Sequence, residues 1–545
     1  MHIEEIRIEN FKCFKNFDLK LNEGLNILVG DNEAGKSTIL EAINLALTGL
    51  FNGRYLKNDL TQYLFNNDVI SEYVKKTNNG ELVDLPSVTI ELTIAGEDLP
   101  KLEGDGNAAG QKKMGISYKI GFNEKYKDEY QDLVKGKNVI TIPIEYYDIF
   151  WTTYARENIT AISIPLKPAF IDSASNRYRN GSDVYISRIV KDILDEKDKV
   201  NISQAHRRMI DTFVGNESII AINQKLKEKA NISNKKVELS VELSSKNAWE
   251  SSLITFFDDV PFHFIGKGEQ CIVKTNLALS HDKNKEANVL LLEEPENHLS
   301  HTKLNQLINE IKERNSKKQI IISTHSSFVA NKLGLESLIL LSIDENTKDR
   351  TKAKLSELSA TTQEYFEKLA GYDTLRLLLS KKTILVEGDS DELIVQKAFI
   401  DTNKGKLPIE ECVEVISVGT SFLRFLEIAD KIKKTIVVVT DNDGKPAAVK
   451  KKYANYLGDH APKHVKICFS EDVALYSLEP QIVDANKDQL DLLRTVIDVK
   501  KEDYPNADSL IKYMEQTSNK TDCALSIFKT KEKINFPQYI LDALK

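Results

Sequence analysis

The stretch Leu25-Asn26-Ile27-Leu28-Val29-Gly30-Asp31-Asn32-Glu33-Ala34-Gly35-Lys36-Ser37-Thr38 decides the fold of the N-terminal half. Its first five residues read as a buried strand, and Gly30 to Ser37 fits G-x-x-x-x-G-K-[ST] in full. A helix is predicted from Lys36 to about Leu47, apolar at Ile39, Leu40, Ile43 and Leu47. Strand, glycine loop and helix in that order place backbone N–H groups and the positive end of a helix around a phosphate. Lys36 then reaches the β/γ-phosphates and the Ser37 hydroxyl holds Mg²⁺. With Asn32, Gly35 and Thr38 these residues form the expected ATP-binding set.

Upstream, Ile3, Ile6 and Ile8, then Phe17, Leu19 and Leu21, alternate as strands do, and residues 86–122 read as hairpins around a glycine-rich loop. Downstream, Val289-Leu290-Leu291-Leu292-Glu293-Glu294-Pro295-Glu296 is a second apolar strand that delivers acids to its C-terminal edge, where ligands of α/β sheets sit. Glu293 is expected to order the Mg²⁺ shell and Glu294 to polarise the attacking water. Ile321-Ile322-Ser323-Thr324-His325 places His325 where a γ-phosphate sensor belongs, although a lone histidine after a strand is more often structural. Gly266-Lys267-Gly268-Glu269-Gln270 precedes a helix and offers Gly266 and Gly268 as backbone donors to a nucleotide held by a partner subunit.

The chain has 545 residues, too many for one core, so two or three domains are expected. Charged residues make up 29% and hydrophobic ones 41%, which excludes a wholly disordered chain. A formal net charge of −8 argues against coating DNA by bulk charge while leaving room for a local basic groove. The five cysteines are scattered, with no CxxC pair, no signal peptide is recognisable, and no apolar run suits a membrane helix. A soluble cytoplasmic protein with no membrane partner is expected.

A second α/β series follows: Thr383–Val386, Val413–Ile416 and Thr435–Val439, apolar enough for a buried parallel sheet. The first strand runs into Glu387-Gly388-Asp389-Ser390-Asp391, and the third into Asp441-Asn442-Asp443. Asp441 and Asp443, two apart on extended chain, point the same way. Carboxylates from neighbouring strand ends make a hard oxygen site suited to Mg²⁺ or Mn²⁺. The bland alternative is a set of helix caps and solvated turn acids.

The N-terminal pieces together resemble the ABC-type ATPase head of the SMC, RecF and OLD (overcoming lysogenization defect) families. Ile6-Arg7-Ile8-Glu9-Asn10-Phe11-Lys12-Cys13-Phe14 is similar to their first strand and turn. The resemblance makes Glu293–Glu294 the Walker B acids, His325 the H-loop, Gly266–Gln270 a signature segment departing from LSGGQ, and Asn297 and His298 the D-loop. Glu145-Tyr146-Tyr147 is only a candidate for the Q-loop. The C-terminal acids resemble a Toprim domain, and a head followed by Toprim in one chain resembles the OLD family.

That likeness implies an α/β fold: ATPase head at 1–165 and 251–355, a helical dimerisation insert at 166–250, and a Toprim domain at 380–545. It implies Asp391 and Glu479 as further metal ligands, and Lys520 (in Lys520-Thr521-Asp522) as the lysine that neutralises the pentavalent phosphate, with Lys529 as the alternative. The implied catalytic set is Glu387, Asp391, Asp441, Asp443, Lys520 and Glu294. The implied activity is an ATP-regulated, metal-dependent DNA endonuclease of bacterial anti-phage defence. It would act as a homodimer or larger homo-oligomer, either alone, beside a helicase-like protein, or as the effector of a retron reverse transcriptase with its nucleic acid. A RecF-like ATP-dependent DNA clamp or sensor without cleavage remains the alternative, and topoisomerase-like strand passage lacks room for a tyrosine domain. His298 with His301, His460 with His464, and Arg177, Arg179, Arg207 and Arg208 read as structural or solvated.

Overall fold

Alternating apolar residues build the first sheet. In the computed structural model Ile3, Ile6 and Ile8 of β1 (His2–Phe11) are fully buried, as are most apolar positions of β2 (Phe14–Lys20). The structure describes every residue except 80, 82, 97–98, 136–138, 173–177, 180–181, 184–193, 230–255, 281–286, 315–317, 345–346, 348, 356–357, 369–373 and 459–460. The continuous apolar run becomes β3 (Leu25–Gly30), buried at all six residues, and leads into α1 (Lys36–Thr48). Ile39, Leu40, Ala42, Ile43, Leu45, Ala46 and Leu47 of α1 are all buried, the pattern of a core helix rather than a surface one. Gly49, in the left-handed conformation, ends it and donates to Leu45 O at 2.7 Å.

The chain divides into two compact units, one of residues 1–26 with 35–324, the other of 27–34 with 325–545. In the first, β4 (Val88–Ala95), β5 (Lys113–Phe122) and β6 (Tyr147–Thr153) join the opening strands in the antiparallel order β2-β1-β4-β5-β6. A parallel ribbon follows from β7 (Lys167–Asp172), β8 (Ala287–Glu293) and β9 (Gln319–Ser323). Between them run α2 (Glu196–Val214), α3 (Glu217–Lys229) and α4 (Lys267–Ser280), and α5 (His301–Arg314) connects β8 to β9. The buried Gln319 side chain ties β9 to β1. It accepts from Ile3 N and donates to Ile3 O and Asn22 O, each at 2.8 Å. A buried amide satisfied in this way costs little and fixes register. Residues 167–172, expected in the helical insert, are thus a sheet strand. Arg177 and His460 lie outside the described residues, while Arg207 and Arg208 are exposed on α2.

In the second unit, β10 (Leu338–Ile343) runs parallel to β3, Leu340 opposite Val29, and β11 (Arg350–Lys354) turns back antiparallel beside it. A Cβ on Gly30 would stand 2.3 Å from Leu341 O, so glycine is required for the strands to approach. Arg350, Lys352 and Lys354 of β11 suit a sheet edge. Two helices, α6 (Ser327–Leu333) and α7 (Thr374–Leu379), lead to the C-terminal sheet. Thr374 Oγ1 donates to Asn331 Oδ1 at 2.6 Å, both residues fully buried, and Leu375 N donates to Ser327 Oγ at 3.3 Å.

The C-terminal sheet comprises β12 (Lys382–Val386), β13 (Val413–Ser417), β14 (Thr435–Val439) and β15 (Val465–Cys468), parallel throughout in the order β13-β12-β14-β15. Its helices include α8 (Asp389–Thr402), α9 (Phe422–Ile432), α10 (Pro446–Lys452), α11 (Leu478–Ala485), α12 (Lys520–Lys529) and α13 (Gln538–Leu544). Ile384, Val386, Val437 and Val439 pack with Val395, Ile482, Ile527 and Ile540 in one core. α7 is a strut onto this sheet: Arg376 Nε donates to Glu414 Oε2 at 2.9 Å and Nη2 to Val415 O at 3.2 Å, while Leu378 O accepts from Lys434 Nζ at 3.3 Å.

Candidate nucleotide loop and carboxylate centre

Glycine geometry shapes the phosphate loop. Gly35 has φ +100°, and a Cβ there would lie 2.4 Å from the Phe14 ring. Glu33 adopts φ 67°, and Ala34 N donates to Asp31 O at 3.2 Å, which closes the loop. Lys36 is buried at the start of α1, Asn32 and Ser37 are exposed, and Thr38 accepts a weak bond from Cys13 Sγ at 3.6 Å. The Ser37 hydroxyl bonds the Glu293 carboxyl, whose pKa is raised chiefly by burial and further by Asp172, Glu41 and Glu294. Asp172 pairs in register with Glu293 and is an acid that the sequence reading missed. Its strand, Phe170-Ile171-Asp172, carries the same signal of an apolar run ending in an acid.

Glu294 turns into the left-handed region (φ 43°), with its N–H on Ser323 O at 2.9 Å and its Oε2 accepting from Asn297 Nδ2 at 2.6 Å. Asn297 thus orients the acid expected to polarise water. The two glycines of the signature segment differ. A Cβ on Gly268 would meet His298 O at 2.2 Å, whereas Gly266 has open space around it. Gln270 Nε2 donates to Ile265 O at 3.0 Å, a helix-start contact. His325 is exposed two residues past β9, and Ser326 caps α6 through Val329 N at 3.3 Å. His301 Nδ1 lies 3.1 Å from Asn305 Nδ2, and His464 lies 3.1 Å from Asp430. Glu145 sits in the turn that leads into β6.

The carboxylate centre is assembled from five segments of the second unit. Glu387 follows β12, and its carboxyl is raised by burial and Asp443 while Lys452 and Lys520 oppose the rise. Asp391, in the first turn of α8, accepts from Gly388 N at 3.0 Å; burial, then Glu387 and Glu479, pushes it up to about 7. Asp441 follows β14, and burial together with Asp391, Glu387, Glu479 and Asp443 pushes it up to about 8. Its Oδ1 is buried with no hydrogen-bond partner. Asp443 has φ 50° and donates its N–H to Tyr476 O at 3.0 Å. Glu479, 4% exposed at the start of α11, accepts from Ser477 Oγ at 3.0 Å and pairs with Lys520 Nζ at 3.3 Å. Lys529 sits nine residues along α12, about 13.5 Å away along the axis.

Two contributors were illegible in the sequence. Asn442, 1% exposed between the two aspartates, donates through Nδ2 to Ser470 O, Asp472 O and Leu475 O at 2.8–3.1 Å and accepts from Gly444 N at 2.7 Å. Tyr539, 7% exposed on α13, has a buried hydroxyl without a partner, and its pKa is raised by burial and then by Asp441, Asp391 and Glu479. Among the described residues no three His, Cys, Asp or Glu side chains already form a closed ligand set. The donors nonetheless fit a divalent cation: all are hard oxygens, Glu387, Asp391 and Asp441 are raised by burial and then by neighbouring like charge, and one oxygen is buried with no other partner.

A phosphate loop on a buried strand, a parallel ribbon ending in acids and an acid-tipped parallel sheet define an ATPase joined to a Toprim-type domain. The chain belongs to the AAA ATPase domain family, whose profile matches residues 1–330. The profile described as overcoming lysogenization defect protein-like, TOPRIM domain, matches residues 378–443. Endonuclease GajA of Bacillus cereus (strain VD045) is 22% identical over 491 residues, 84% of this chain and 78% of that protein. The DNA double-strand break repair Rad50 ATPase of Methanopyrus kandleri is 51% identical over 45 residues, and the DNA replication and repair protein RecF of Clostridium novyi 29% over 85 residues. The chain spans only 5% and 24% of these two relatives. Among solved structures, an SMC head bound to the C-terminal winged-helix domain of ScpA covers 65% of this chain at 16% identity and TM-score 0.33. No described helix is long and apolar enough to cross a membrane.

Proposed function

We propose that this protein is an ATP-regulated, Mg²⁺- or Mn²⁺-dependent DNA endonuclease that hydrolyses phosphodiester bonds at the carboxylate centre. The observation that carries the reading is the buried, unpartnered Asp441 Oδ1 within a group that also contains Glu387, Asp391, Asp443 and Glu479. These five acids would hold the cations, which when bound supply a hydroxide and stabilise the leaving 3′ oxygen. Lys520, 3.3 Å from Glu479, would hold that acid in place and offset charge on the pentavalent phosphate. Asn442 would keep Asp441 and Asp443 on a fixed loop. The similarity to endonuclease GajA over most of both chains supports the same reading.

In the ATPase part, Lys36, Ser37 and Glu293 would bind the phosphates and their Mg²⁺, with Asn32, Gly35 and Thr38 shaping the loop. Glu294 would orient the attacking water, and His325 would sense the γ-phosphate. Gly266 and Gly268 would present donors to nucleotide on a partner head, which makes the working form at least a homodimer. The activity would serve bacterial anti-phage defence, a role that a plaquing assay with and without the gene tests. The decisive experiment incubates the protein with supercoiled plasmid and Mg²⁺ or Mn²⁺, with and without ATP, beside Glu387→Ala. Metal-dependent nicking lost in the variant is expected. DNA binding without cutting in any lane would instead support an ATP-dependent clamp.

A further inference from the structure

Six lysines and one acidic residue lie between positions 445 and 466, within a chain of net charge −8. Four of the lysines belong to α10 and the residue before it, the helix that leaves the Asp441-Asn442-Asp443 segment directly. Elsewhere surface lysines are commonly paired with acids, as Lys15 with Glu72, Lys57 with Asp148 and Lys501 with Asp491. On α10, among the described residues, only Lys450 is, 2.7 Å from Glu471. Lys451 is exposed and has no acidic partner among the described residues. Lys452, also exposed, is steered by the faces of Phe422 and Tyr453, with Nζ 5.6 Å and 5.2 Å from the ring centroids. Its charge acts on the Glu387 carboxyl in the sense opposite to Asp443, as does that of Lys520.

We infer that α10 seats the DNA backbone at the carboxylate centre, Lys451 and Lys452 each contacting a phosphate that neighbours the one being cut. The inference rests on the nuclease reading and adds to it an element that holds the substrate. A five-acid centre repels DNA, so an adjacent unpaired cationic surface is what electrostatics requires for the polyanion to approach. Lys452 is suited to the nearest contact, because ring faces orient its ammonium without neutralising it. Lys451 adds a second charge one residue earlier. The expected signature is that of counterion release, in which each phosphate contact adds about 0.9 to the slope of log K against log salt.

The test measures binding of a fluorescein-labelled DNA duplex to the full chain in EDTA across a salt series. It compares wild type, Lys451→Gln/Lys452→Gln and a control, Lys500→Gln, an exposed lysine on another segment. The double variant should bind ~10- to 100-fold more weakly at low salt, with the slope reduced by about 1.8, while the control and nucleotide binding match wild type. An unchanged slope and affinity in the double variant would overturn the assignment, even if plasmid nicking by the wild-type protein proceeds. A reduced slope together with a wild type that never cuts DNA under any metal or nucleotide condition would keep the seating surface and sink the nuclease reading instead.

Discussion

The phosphate loop and the carboxylate centre solve the problem of placing charge in opposite ways. In the first, the determinants lie within eight consecutive residues, and the tolerances are set at two glycines: a Cβ on Gly30 would stand 2.3 Å from Leu341 O, and Gly35, at positive φ, lies against the Phe14 ring. In the second, five acids arrive from β12, α8, the segment after β14 and α11, and the tolerances are set by side chains such as Asn442 and Lys520. A contiguous motif is rigid because its own backbone excludes alternatives. A dispersed site depends on the packing of every element that delivers a ligand, and like charges raise the cost of gathering it.

The sharpest way to break this comparison is Asp441→Asn. Cutting should fall by more than ~1000-fold, yet the metal-free protein should melt ~2–4 °C higher, since a buried acid raised by four like charges is removed. Nicking assays and calorimetry in EDTA read the two effects, and a lower melting temperature would show that the acid stabilises the fold. Lys36→Ala should weaken ATP binding ~100-fold or more by equilibrium dialysis while leaving nucleotide-free nicking within about twofold. Gly30→Ala should destabilise by about 1–3 kcal/mol or more in urea unfolding, because the Leu341 carbonyl cannot withdraw from a paired strand. Gly268→Ala should behave likewise against His298 O, and Gly266→Ala should be near neutral; equal effects would contradict the packing difference between these two glycines.

Asn442→Ala removes four hydrogen bonds from one loop and should lower kcat ~10- to 100-fold, with little change in the affinity for DNA. The smallest effect is expected at the strut. Lys434 has its ammonium pushed down to about 8 by burial, with Asp31 of the phosphate loop opposing that fall, and it also bonds Leu378 O on α7. Thr374→Val should leave basal cutting unchanged and reduce the response of cutting to ATP by about two- to fivefold, read from nicking rates with and without nucleotide. An intact response would show that α7 only supports the sheet.

Much of the molecule follows from sequence alone for a simple reason. Phosphate loops, apolar strands ending in acids and the pairing of Asp441 with Asp443 are local, and local periodicity records them. Strand β7 escaped that reading because its partner β8 lies more than a hundred residues onward, so Asp172 reaches Glu293 only once the ribbon forms. The middle residue of Asp441-Asn442-Asp443 gave no hint that its amide anchors a loop at residues 470–475, and Tyr539 gave none that its buried hydroxyl would feel the charge of Asp441. The choice of Lys520 over Lys529 as the partner of Glu479 likewise needed the start of α12 brought to Glu479. Sequence determined which chemical groups are present and on which strand tips they sit. Tertiary structure decided which of them meet, since a contact between residues far apart in the chain is an outcome of packing that no local pattern carries.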